Sequence, residues 1–576
     1  MNMDNLYDAQ VDISSNCANA AVNEEYQSYL IDLALESEYF LERYPEYCFV
    51  PLGQNYSILY FKGEMPFLGD SANAYYNRIP KCYGLMSTRE LEEIGVGKVQ
   101  RFPQLALRGQ GVLIGIIDTG INVTDPFFIF EDGSTKIAAL WDQTDQTGEH
   151  PREFSFGTEW SREKIDETLR RDPHSVPRDE NGHGTFLAAI AAGREDEESG
   201  FSGVAPDSEL VVVKLKQAKK YLREFYSIDE NIWACQEDDV MMAIRYIMRK
   251  AFLFQKPVSI CIGLGTNLGG HKGTNNLSRY ISSTSLLSGV SFQIASGNEG
   301  ISGHHYQGRI REGENVQTVE FNVAENESGF IMELWGSAPA EFSVGLVSPG
   351  GERVDRIQLK LNEFRSIRFF PEETVLEIRS YPGEIISGDQ VIRMNFRKPA
   401  PGTWRLYVYL NRDGNPDFNL WLPISNFIKE ETFFLNASST ETVTSPGDSV
   451  YGMTYVPYDV QNDSLYIRAS RGYTRDGRVK PDLAAPGVSV AIPSPLKGGR
   501  EIVRSGSSVA AAFGTGISAL IQEWAFVRFN DSTMTSQKMR FYLIQGAMRP
   551  GAFAYPNRDW GYGIVNIYDA FLAMRG

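Results

Sequence analysis

The run Gly111-Val-Leu-Ile-Gly-Ile-Ile117, closed by Asp118-Thr-Gly120, constrains this chain more than any other stretch. An apolar run without alternation belongs on a strand covered on both faces, the situation of a parallel strand inside an α/β sheet. The carboxylate then falls at the strand's carboxyl end, where open α/β sheets place their sites. Leu210–Leu215, Val258–Gly263 and Val290–Ile294 have the same character. Between the first two of these, Asp239–Met248 has helical spacing, and its methionines read as core packing. Strand–helix alternation of this kind predicts an α/β fold with a doubly wound, mainly parallel sheet.

Small-residue helices with chemistry at their starts accompany these strands. Gly506-Ser507-Ser508 opens a run containing Ala510, Ala511, Ala512, Gly514 and Gly516, whose small side chains let a helix pass close to neighbouring backbone. Unpaired N–H groups and the positive dipole end at such a start stabilise a developing anion, a good seat for a nucleophilic serine. Taken alone, a Ser-capped buried helix explains the stretch as well. Of the six histidines, only His183, between Gly182 and Gly184, opens a helix of the same composition. Asn298, in Ala295-Ser-Gly-Asn-Glu-Gly300, ends a strand between glycines, where a side-chain amide either shapes a turn or donates to a substrate oxygen. Gly263 and Gly265 start a glycine-rich loop, but the third glycine of a dinucleotide fingerprint would fall on Leu268, against that reading.

The series Asp118-Thr-Gly-Ile121, His183-Gly-Thr185, Asn298 and Gly506-Ser-Ser-Val-Ala-Ala511 resembles the subtilisin-like serine peptidases in motif and in chain order. The resemblance covers about residues 87–302 and 430–576, with Gly203–Pro206 and Gly477–Gly487 as supporting segments. It departs from the usual pattern at Ser507 (commonly Thr), Ala512 (commonly Pro) and Phe186 (commonly a second His), none of them a triad position. Within the family the chain is similar to the clostridial Csp-type germination proteases, in its N-terminal prodomain-like unit, its lack of a secretory signal and its closing motif Tyr555-Pro-Asn-Arg-Asp-Trp-Gly-Tyr-Gly563. The resemblance implies Ser508 as nucleophile, His183 as general base, Asp118 as its orienting partner and Asn298 in the oxyanion hole. Gly263, Leu264 and Gly265 are implied as one wall of the substrate cleft. It also implies a protein substrate, no cofactor and no catalytic metal.

Three units are expected: a small α+β prodomain over 1–86, the peptidase over 87–302 and 429–576, and an inserted, jelly-roll-like antiparallel β-sandwich over 303–428. The insertion is read from alternating runs at 318–323, 329–335, 343–347, 391–396, 404–410 and 418–422, punctuated by Gly, Pro and Asn. In the N-terminal unit, Tyr26–Tyr44 has helical apolar spacing, Tyr56–Lys62 reads as a strand, and Ile79–Met86 is extended and apolar. Ser87-Thr-Arg-Glu90 resembles a capping box. The resemblance implies a prodomain whose last strand lies in its own substrate cleft. The extended Tyr83–Met86, stopped by the helix start at Ser87, is thus the expected place of self-cleavage, between Met86 and Ser87, with 1–86 then staying bound as an inhibitor.

The remaining composition excludes partners rather than naming them. Fifty-five Lys and Arg against 73 Asp and Glu give a net charge of −18 with no basic block, against a nucleic-acid partner. No apolar run approaches the roughly 20 residues of a membrane span. The acidic start, Met1–Asp8, lacks the regions of a secretory signal, and the five cysteines have no CxxC spacing. Reduced thiols, synthesis in the cytosol and, from the resemblance, association with the spore are the expectation. Two alternatives keep the fold: a general degradative subtilase, and an inactive relative acting as a binding partner.

Overall fold

The computed structural model describes residues 19–32, 48–53, 56–62, 78–85, 94–101, 103–196, 200–357, 364–381, 383–412, 416–494 and 500–574. Its centre is a nine-stranded mixed sheet. Across it run Ser464–Leu465, Met453–Asp459, Val290–Ala295, Val258–Ile262, Leu113–Asp118, Glu209–Lys214, Ile137–Asp142 and Thr158–Ser161, with Leu483–Pro486 branching from Met453–Asp459. The six strands from Met453–Asp459 to Ile137–Asp142 are parallel to one another. The two edge strands, Ser464–Leu465 and Thr158–Ser161, are antiparallel.

Leu113–Asp118 lies in the middle, and its alternate side chains enter two different cores. Ile114 and Ile116 pack with the helices His183–Ala192 and Ser507–Gln522. Leu113 and Ile117 pack on the other side with Glu237–Phe254 and Asn276–Thr284. Double coverage is why the run shows no polar alternation; each buried aliphatic side chain is worth roughly 1.5–3 kcal/mol. The small residues of Ser507–Gln522 fill a tight seam. A Cβ on Gly514 would lie 2.3 Å from the Tyr455 ring, and one on Gly516 2.3 Å from Val204 Cβ.

The N-terminal unit corrects one expectation. Tyr26–Asp32 is a strand, not the start of a helix, and pairs antiparallel with Tyr56–Lys62, which in turn pairs with Cys48–Gly53. Leu30 packs towards the helix Glu237–Phe254, while Tyr29 and Ile31 pack with Leu59, Phe61 and Leu222. Burial on both faces erased the alternation that marks a strand, so local spacing read as helical. Residues 33–44 of the span read as helix lie outside the described residues, as do Met86, Ser87 and the capping-box segment.

Between His305 and Phe434 the chain forms two antiparallel sheets of six and five strands around a shared core of Phe321, Phe330, Leu346, Phe396, Trp404 and Leu406, among others. All six alternating runs read from the sequence are strands here. Five more strands were not anticipated: His305–Arg309, Arg353–Ile357, Phe364–Arg368, Val375–Tyr381 and the short Phe433–Phe434. Arg353–Ile357 and Phe364–Arg368 are edge strands of largely exposed polar residues, which carry no apolar period. Cys235 and Cys261 are buried and outside any disulfide, and burial pushes the Cys261 thiol up to about 12. Cys48 is disulfide-bonded, against the expectation of reduced cysteines, because pairing depends on three-dimensional proximity that spacing does not reveal.

Candidate active site

At the carboxyl edge of the parallel sheet, three side chains distant in sequence meet in hydrogen-bonded series. His183 Nδ1 lies 2.8 Å from Asp118 Oδ1, and His183 Nε2 lies 3.1 Å from Ser508 Oγ. All three residues are buried. With Nδ1 donating to the carboxylate, Nε2 is left as the acceptor for the serine hydroxyl, the tautomer that a general base requires.

Each member is placed by its own local device. Asp118 ends the central strand, and its Oδ1 also accepts from Thr119 N at 2.8 Å and Thr119 Oγ1 at 3.2 Å. Thr119 Oγ1 in turn accepts from Gly184 N at 3.1 Å, tying the strand end to the start of the His183 helix. Gly184 permits that approach: a Cβ there would sit 2.3 Å from Gly120 O. The N-cap of this helix is Gly182, which has no side chain to offer. Asp179 supplies the cap from upstream, accepting from Gly182 N at 2.8 Å, Thr185 N at 2.9 Å and Thr185 Oγ1 at 2.8 Å. Sequence reasoning did not single out Asp179; its signal was an acid shortly before a helix whose cap position is glycine.

Ser508 is the second residue of the helix Ser507–Gln522. Its N-cap, Gly506, has φ of +144°, a backbone conformation that side chains rarely adopt and that presents Ser508 at a sharp turn. The Ser508 N–H belongs to the first turn and lacks an intrahelical acceptor. Ser507 N donates to Asn298 Oδ1 at 3.0 Å, and Gly297 N donates to Ser507 Oγ at 3.0 Å. Fixing the Asn298 oxygen in this way leaves the amide NH2 as the group free to donate. Ser507 thus holds the Asn298 loop through the hydroxyl it shares with the usual threonine.

Gly263 packs directly against the series: a Cβ there would meet Leu187 Cδ1 at 2.7 Å, Ser508 Cβ at 3.0 Å and His183 Cε1 at 3.3 Å. Leu264 and Gly265 then form a short strand that pairs antiparallel with Leu85 and Gly84. The strand Cys82–Leu85 pairs on its other side with Cys235–Gln236. An extended segment of the chain itself therefore lies between two walls, and its direction leads towards Ser508. Arg504, also missed from the sequence, donates from Nη2 to Asn181 O at 3.0 Å and lies over the Phe186 ring. Among the described residues there is no group of three or more His, Cys, Asp or Glu disposed to hold a metal ion. No described helix is long and apolar enough to cross a membrane.

A doubly wound sheet with a carboxylate, an imidazole and a serine hydroxyl in series at its carboxyl edge defines the serine peptidase class. The chain belongs to the subtilase family, whose sequence pattern matches residues 109–358 and 408–563. It is similar to the CspB protease of Clostridium perfringens, with 28% identity, a TM-score of 0.74, and coverage of 83% of this chain and 96% of that one. It is also similar to the subtilisin-like protease SBT1.9 of Arabidopsis thaliana, 30% identical over 152 residues. That alignment spans 23% of this chain and 19% of the plant protein. The protein is thus a subtilisin-like serine peptidase, a hydrolase acting on proteins.

Proposed function

We propose that this endopeptidase cuts its own chain between Met86 and Ser87 and then activates a zymogen, a spore cortex hydrolase, during germination. The observation that carries the self-cleavage is the strand Cys82–Leu85, paired antiparallel with Leu264–Gly265 beside Ser508. Substrates of a protease cleft bind as an added strand, with backbone hydrogen bonds giving affinity. Gly263, Leu264 and Gly265 act as that wall.

In the reaction, Ser508 Oγ attacks the scissile carbonyl carbon while its proton passes to His183 Nε2, and Asp118 stabilises the imidazolium. The carbonyl π electrons move onto oxygen, which the Asn298 amide and the Ser508 N–H hold. Collapse breaks the C–N bond, His183 returns its proton to the leaving amine, and water then releases the acyl group by the same steps. Residues 1–86 act as a prodomain that remains in the cleft after the cut. Docking of the N-terminal strands supports retention: Ser28 N donates to Tyr221 Oη at 2.8 Å, and Tyr280 Oη to Leu52 O at 2.8 Å. The two antiparallel layers act as an inserted β-sandwich of the jelly-roll kind. Likeness to the CspB protease and the Csp-type motifs support the germination substrate and a spore-associated protein.

Mass spectrometry of the purified chain tests the first step. A fragment beginning at Ser87, absent from Ser508→Ala, is expected; a cut several residues away, or the same cut in the variant, refutes it. Incubation with a cortex-hydrolase zymogen and with casein tests the second. Casein degradation without zymogen processing would make the protein a general degradative subtilase.

A further inference from the structure

Asn298 stands in a loop whose backbone is tied to several separate segments. Ser296 N donates to Tyr455 O at 3.1 Å, Gly300 N to Arg468 O at 3.0 Å, and Glu299 N to Ser470 Oγ at 3.0 Å. The Glu299 carboxylate reaches elsewhere, to the place where the two antiparallel layers join the peptidase. Its Oε1 accepts from Ser425 N at 3.0 Å and Ser425 Oγ at 2.9 Å. Its Oε2 accepts from His304 Nδ1 at 2.7 Å and Asn267 Nδ2 at 3.4 Å.

These partners are not neighbours in sequence. His304 leads into the strand His305–Arg309, and Ser425 follows the strand Asp417–Trp421. Leu422 N donates to His304 O at 2.9 Å, so the segment entering the layers and the segment returning from them touch at this point. Asn267 comes just after the cleft wall Leu264–Gly265 and donates to Leu422 O at 3.2 Å. One carboxylate thus joins the entry, the return and the wall, one residue away from Asn298. Burial pushes the Glu299 carboxyl up, but His304 and Ser425 outweigh it and hold the group below its ordinary range, as an anion.

We infer that Glu299 is a positioning residue that holds the Asn298 amide in its oxyanion-binding orientation and makes that orientation depend on the antiparallel layers through Ser425 and His304. The inference rests on the reading of Asn298 as an oxyanion donor. A backbone rotation at Glu299 is transmitted to the adjacent residue, and among the described residues it is the Ser507 N–H that holds the Asn298 oxygen. Donors to an oxyanion act only when fixed in advance, so a small loss of orientation lowers turnover rather than binding.

The test is a double-mutant cycle on the full chain with a peptide anilide substrate. Glu299→Gln keeps the shape but places an NH2 against donors on one side. It should lower kcat about tenfold with KM within about twofold of wild type. In the Asn298→Ala background the same substitution should change kcat by less than about twofold, because nothing remains to be positioned. Ser425→Ala removes the 2.9 Å bond alone and should follow the same pattern with a loss of about threefold. It carries the cycle if Glu299→Gln does not fold. Equal losses in both backgrounds, a change confined to KM, or no loss in folded variants would overturn the inference. Wild-type kcat in Asn298→Ala alone would instead overturn the oxyanion reading on which it rests.

Discussion

At the carboxyl edge of the parallel sheet, Asp118, Asp179, His183 and Ser508 are all buried, and their hydrogen bonds are spent on orientation. The core between the antiparallel layers is equally inaccessible, but Phe321, Phe396, Trp404 and Leu406 fill it by shape. Burial in the first region keeps a hydrogen-bonded polar series in one orientation; in the second it supplies folding energy. Deleting a few atoms should therefore cost rate in one region and stability in the other.

Ser508→Ala gives the largest effect. Turnover and fluorophosphonate labelling should fall by roughly 10⁴–10⁶-fold, while stability moves by no more than about 1 kcal/mol. Residual activity near wild type would move suspicion to Ser505 or Ser507, and an unlabelled Ser508 in folded wild-type protein would favour an inactive binding relative. Asn298→Ala should lower kcat by about 10²–10³ with KM nearly unchanged. A pure KM effect would make Asn298 a turn residue.

Leu406→Ala tests the other side of the comparison. It should destabilise by about 2–5 kcal/mol, read by denaturant unfolding, with kcat per folded molecule unchanged. A fall in kcat at full folding would show that the layers tune the site through their interior as well as through Ser425. The smallest effect concerns their junction, where His305 stacks on Trp421 and contacts Asn419 Oδ1 at 2.9 Å. Burial pushes the His305 imidazole down to about 4. The unfolded chain takes up that proton near pH 6.5, so between the two values it binds more protons than the folded chain. Stability falls as pH drops through this window, by about 2–3 kcal/mol in all, and is unaffected above it. Melting curves of wild type and His305→Gln from pH 7.5 to 4.5 should converge at the acid end.

Strands buried on two faces were legible where they belong to the parallel sheet, because Leu113–Asp118 and its neighbours carry unbroken apolar runs. The same property misled over Tyr26–Asp32, where apolar residues on both faces imitate a helical period. Val375–Tyr381 does alternate, with Leu376 and Ile378 inward, and attention to that period would have found it. Asp179 and Arg504 stayed hidden because a cap from upstream and a carbonyl contact across two loops leave no pattern in either segment alone.

By itself the sequence determined which residue types stand at strand ends and helix starts, because glycine, small side chains and buried runs are local requirements of the backbone. It thereby placed Asp118, His183, Asn298 and Ser508 at such positions, and their resemblance in motif and order to the subtilisin-like peptidases marked them as candidates. Only the tertiary structure decided that His183 lies within hydrogen-bond reach of a residue 65 positions before it and another 325 positions after it. Only that structure, too, brought Ser425 to a carboxylate 126 positions away. Such contacts depend on how the sheets and layers pack, and packing joins segments that share no local signal.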